Sequence, residues 1–141
     1  MLTGRFPDAG ERDPPGLLAA YQDVLATVID DQGTEAVVTE TGVDRDTVTA
    51  LAEGDAGEVT LEDAAAALSV AEDYPDADAI AAEARDILLM GMTTAVMDVD
   101  SVAAELGGDL DPKEVQQKVE GRHPITLGEY ARIHHLLERK P

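Results

Sequence analysis

Six polar residues between positions 113 and 123 have the types and spacing to touch nucleic acid: Lys113, Gln116, Gln117, Lys118, Arg122 and His123. A glutamine side chain matches the donor and acceptor on adenine's major-groove edge, and lysine suits guanine or a phosphate. Arg122 and His123 follow in what reads as a loop, where phosphate contacts fit. The bland alternative is a solvated helix face. A second cluster, His134-His135 with Glu138, raises a metal reading because His134 and Glu138 stand four apart. It lacks an HExxH pattern, the chain has no cysteine, and His123 is the one other histidine, so a packed or solvated pair is the reading adopted. Met90, Met92 and Met97 form a soft stripe that reads as core, or else as an adaptable interface between copies or chains. No phosphate-cradling glycine loop follows a strand pattern and no Ser/His/Asp arrangement can be inferred. No catalytic residue, cofactor or metal is therefore assigned, and an enzyme is not expected.

The six residues need a helix to stand on. Val115 and Val119, four apart, would face inward and leave Lys113, Gln116, Gln117 and Glu120 pointing largely outward. Asp111-Pro112-Lys113-Glu114 opens this helix, with Asp as N-cap, Pro at the first helical position and an acid near the positive end. Gly121 stops it. In front lies a short apolar stripe, Val102, Ala103 and Leu106, that ends at Gly107-Gly108. Behind lies a capping box, Thr126 to Glu129, and a helix whose inner face is Leu127, Tyr130, Ile133 and Leu137. Helix, glycine turn, helix and packing helix is the helix-turn-helix plan.

This stretch resembles the phage repressor/Cro-type helix-turn-helix family. The residues that carry the resemblance are AAELG at 103–107, VQQKVEG at 115–121 and ITLGEYARI at 125–133. The resemblance implies binding to operator DNA through the helix after the turn. The loop Gly108–Leu110 departs from the family by about two residues of extra length, which leaves the angle between the two helices open.

The same phrase occurs earlier. Glu40-Thr41-Gly42 answers Glu105-Leu106-Gly107, Val48 with Ala52-Glu53-Gly54 answers Val115 with Val119-Glu120-Gly121, and Thr60-Leu61 answers Thr126-Leu127. The first copy keeps the ordinary turn length. The expected fold is therefore all-α: two repeated four-helix units, each helix-turn-helix and lambda-repressor-like, packed together because a unit of about 65 residues buries only a modest core. Residues 14–75 form the first unit and 76–141 the second, after a poorly ordered arm at 1–13. The first copy offers Arg45, Asp46, Thr49 and Ala50 at its outward positions, a poor surface for DNA, and reads better as a structural or pairing unit.

Charge is the loudest compositional fact. Ten basic residues stand against thirty acidic ones, a formal net charge of −20, yet 44 % of residues are hydrophobic, which is not a disordered composition. Phosphate binding rests on Lys and Arg, so −20 would ordinarily exclude nucleic acid. Dense acid with scarce lysine also suits a folded protein in molar salt, where the Debye length is about 3 Å and global repulsion is screened. The one positive stretch is 112–141, with six basic residues against four acidic ones, and it coincides with the candidate DNA face. The phrases LLMGMTTAVMDVD and PKEVQQKVEGRHPITLGEY make most of residues 16–137 similar to a family of acidic proteins from haloarchaea. That resemblance implies a salt-loaded cytoplasm and no function.

The N-terminus has no basic-then-apolar pattern, and the longest apolar run, Ile87 to Met97, contains two Thr and a Gly. A cytoplasmic, halophilic protein with no membrane span is expected. The sequence thus points to a DNA-binding transcription regulator whose DNA face lies on the second unit, with double-stranded DNA as partner. The alternative is a protein–protein interaction module on the same scaffold that does not bind DNA, acting as a homodimer or with another protein.

Overall fold

A computed structural model describes residues 13–139, and the chain is all-α. Eight helices run in the order α1 Pro14–Gln32, α2 Thr34–Thr41, α3 Arg45–Glu53, α4 Leu61–Ser69, α5 Ala77–Ala95, α6 Val99–Glu105, α7 Pro112–Val119 and α8 Leu127–Arg139. The arm expected at 1–13 falls outside the described residues except for Asp13, which caps α1 by accepting from the Gly16 amide at 2.8 Å.

Local chemistry sets most boundaries. Asp76 and Asp98 accept from the amides of Ala79 and Ser101 at 2.8 Å each. Asp111 and Glu114 exchange side-chain and backbone hydrogen bonds, as do Thr126 and Glu129, so α7 and α8 both open with a capping box. Gly42 ends α2 at φ +74°, a left-handed conformation in which a side chain would be strained. α5 ends differently. Val96 occupies the left-handed region at φ 57°, ψ 49°, unusual for a β-branched residue, and α6 departs at 93° to α5.

The core is continuous along the chain. α1, α4, α5 and α8 meet at its centre, α2 and α3 pack on α1, and α6 and α7 pack on each other. Ala64, Ala65 and Ala67 are fully buried, so α4 can lie close against α5. Between the loops preceding α4 and α8 runs one antiparallel bridge, Thr60 to Thr126. The Leu61 amide donates to the Ile125 carbonyl at 2.7 Å, and the Leu127 amide donates to the Val59 carbonyl at 2.8 Å. These amides open α4 and α8, where a helix has no partner of its own to give them.

A polar knot sits inside this core. Tyr21 of α1 shares a hydrogen bond of 2.5 Å with His134 Nδ1 of α8, and the Tyr130 hydroxyl donates to the Ala84 carbonyl of α5 at 2.7 Å. The three rings stack and cross at centroid distances of 5.5 to 6.1 Å. Burial lowers the His134 pKa to about 4, so the imidazole is neutral at pH 7. The unfolded chain, with an ordinary value near 6.5, then binds the proton more tightly than the folded one. Stability from this group is complete above about pH 6.5 and is lost as pH falls toward 4. Between pH 6.5 and 5 the loss is about 2 kcal/mol. In His134→Gln that component disappears, so urea titrations at pH 7 and pH 5 should show the native chain losing about 2 kcal/mol more than the variant over this interval.

Candidate functional site

The six residues selected from the sequence fall on α7 and the loop that follows it. Val115 and Val119 are buried, and their spacing turns Lys113 and Gln116 outward while Gln117 and Lys118 sit half-buried. The long turn between α6 and α7 is fixed by Leu110, which inserts into the core at 7 % exposure. Arg122 and His123 are exposed, and their amides donate to the Gln117 carbonyl at 2.8 and 3.2 Å. All six thus lie along one short edge of the molecule.

Two of their three formal positive charges, however, are answered within the chain. The Lys118 ammonium donates to both carboxylate oxygens of Glu129 at 2.7 Å, with the two side chains only 17 % and 21 % exposed. Burial pushes the Glu129 carboxyl upward, but Lys118 and Thr126 outweigh it and hold the group below the usual carboxylate range. Arg122 pairs with Glu120, and Gln116 donates to the same carboxylate at 3.2 Å. Together they keep Glu120 ionised below its ordinary pKa. Arg132 binds Asp109 at 2.8 Å and the Leu106 carbonyl at 3.0 Å, and Arg139 reaches Glu105 at 3.5 Å. Lys113 is exposed on the outer face with no ion pair among the described residues. Apart from Lys113, the described cations of the net positive stretch are therefore paired, partly with acids from α6 and its turn that lie outside it.

The surface that the sequence equates with the α7 face, around α3, is plainly acidic. Arg45 donates to Glu35 at 2.9 Å. From 34 to 58 it is the one basic residue, against seven acidic ones.

Sequence reasoning passed over Arg85. This α5 residue is buried at 9 % exposure and holds the end of α7 from beneath. Its Nε donates to the Lys118 carbonyl at 2.9 Å, one terminal nitrogen reaches the His123 carbonyl at 3.3 Å, and the other meets Glu62 of α4 at 2.7 Å. On α1, Gln22 does related work, accepting from the Ala56 amide at 2.7 Å in the loop after α3. One signal was present: Arg85 is the lone basic residue between Arg45 and Lys113.

Residues 17–140 match a protein-family model. The chain belongs to DUF5791, a family of unknown function. The match runs from α1 through α8. No curated protein and no solved structure matches the chain. Among the described residues, no group of three or more His, Asp or Glu is placed to hold a metal ion. His134 is in the Tyr21 knot while Glu138 is exposed. No single described helix is long and apolar enough to cross a membrane.

Removing Arg85 leaves two carbonyls and a carboxylate without their donor. Arg85→Ala should cost about 3 kcal/mol in urea unfolding, and Arg85→Lys, which keeps the charge but not the fork, should recover part of it.

Proposed function

We propose that this family member is a protein–protein interaction module built on two helix-turn-helix-like units, and that it does not read DNA. One observation carries the reading: two of the three cations of the candidate DNA face, Lys118 and Arg122, are already bound to carboxylates, which leaves Lys113 as the one cation there without an ion pair among the described residues. A protein making several phosphate contacts needs several free Lys or Arg side chains, since each neutralised phosphate supplies part of the affinity. Here Lys118 would have to leave a two-pronged, largely buried pairing with Glu129, and Arg122 would have to leave Glu120. Molar salt does not restore the attraction, because the screening that mutes repulsion from thirty acids also mutes the pull on phosphates.

The two-unit reading has structural support of its own. Thr60 and Thr126, equated by sequence, are bridged to each other, and the loops after α3 and α7 are each held by a buried polar side chain from a long helix, Gln22 accepting from the Ala56 amide and Arg85 donating to the His123 carbonyl. A second reading, a transcription regulator, is favoured by Lys113 and Gln116 standing on the exposed face of α7 with Gln117 beside them.

Binding to pooled genomic fragments across a KCl series separates the two. The expected outcome is no enriched site at any salt, with Gln117→Ala and Arg122→Ala indistinguishable from the native chain. A doubly substituted chain, Glu120→Gln with Glu129→Gln, frees both cations and should gain non-sequence-selective retention at low salt. Enrichment of a few related sites by the native chain, weakened by Gln117→Ala, would overturn the proposal.

A further inference from the structure

The Met-bearing stripe is not core along its whole length. Leu89, Met90 and Val96 are 39 %, 69 % and 89 % exposed, and no other large hydrophobic residue among those described is so open. Leu89 and Val96, with Met92, Thr93, Met97 and Asp98, border a groove of about 510 Å³ at the C-terminal end of α5. The matching end of α1 looks different: Val28 and Ile29 are buried, and α2 packs beside them. On α5 the chain turns away at Val96, and α6 packs on α7 and α8 instead. A mixed-composition surface tolerates scattered apolar residues, but contiguous ones at one helix end mark a place where something docks. The methionines give such a surface an adaptable shape.

Charge says what kind of partner fits. Glu83 and Asp86, both exposed, precede the apolar patch at helical spacing, and exposed Asp98 and Asp100 follow it. From Asp86 to Pro112 there is no basic residue. A second copy is therefore a poor occupant. Two α5 helices laid antiparallel would set Glu83 and Asp86 of each against Asp98 and Asp100 of the other, and laid parallel they would set like acids side by side. A helix with an apolar centre and Lys or Arg at both ends meets every one of these groups with its complement. Resting on the interaction-module reading, we infer that the C-terminal half of α5 is the docking site for a basic, amphipathic helix of a partner protein.

The test uses the full chain and three fluorescent helical peptides: Leu on one face with Lys at both ends, the same with Glu replacing Lys, and the same with Ser replacing Leu. Anisotropy titrations should show saturable binding of the Leu/Lys peptide, and at least about tenfold weaker binding of the other two. Leu89→Ser with Val96→Ser removes apolar contact at the groove without changing charge, at two exposed positions, and should weaken the Leu/Lys peptide by at least about tenfold. Equal binding of the Ser/Lys peptide, unchanged binding by the doubly substituted chain, or no binding of the Leu/Lys peptide would overturn the inference. So would a concentration-dependent dimer in sedimentation that the two substitutions abolish, since that gives the face to a second copy. Any of these results without DNA enrichment leaves the interaction reading standing, whereas enriched DNA sites sink that reading whatever the peptides do.

Discussion

Two amides with nowhere else to go decide how this chain is put together. The first amide of α4 and the first of α8 cannot bond within their own helices, and both lie at buried leucines. Each is satisfied by a carbonyl from the loop that precedes the other helix. Gly128 adds a third such bond, to the Gly57 carbonyl at 2.9 Å, and a methyl group on Gly128 would stand 3.0 Å from that same oxygen. The two loops must consequently run close and antiparallel. With them fixed, α4 and α8 descend into a shared centre where α1 and α5 complete the core, and the short helices α2–α3 and α6–α7 are carried outside it.

A second constraint is the scarcity of positive charge. Four of the five cations described in the final third of the chain hold a carboxylate, and Arg85 combines a carboxylate with two backbone carbonyls. In a chain with three acids for every base, a buried or half-buried cation is worth most where it ends several interactions at once. Arg132 closes the end of α6 while meeting Asp109, and Lys118 ties α7 to the capping box of α8. Most of the described basic residues thus act as fasteners between elements, and the outer surface is predominantly acidic with one apolar end of α5.

How much of this the sequence disclosed depends on how far apart the interacting residues are. The caps at Asp111 and Thr126 were legible because a cap involves residues three apart. The inner faces were legible for the same reason: Val115, Val119, Leu127, Tyr130, Ile133 and Leu137 are all buried, as their helical spacing implies. The candidate face was located on α7, but its electrostatics were not. A count over 112–141 cannot register that Arg132 meets Asp109 or Arg139 meets Glu105, because those acids lie just outside the window. The role of Arg85 could not be read from spacing, since its backbone partners stand 33 and 38 residues away. The stripe at Met90 to Met97 has core composition, and only the turn at Val96 takes part of it out of the core.

The crossed bonds between the loops have a consequence for how the molecule comes apart. Neither set of four helices keeps a satisfied boundary when the other leaves, since α4 would lose the donor's partner at Ile125 and α8 would lose those at Val59 and Gly57. Local melting therefore has no natural place to stop between Ser69 and Ala77. A defect that starts at either end is passed across the centre, and the chain behaves as one cooperative body whose weakest loop sets the lifetime of the whole.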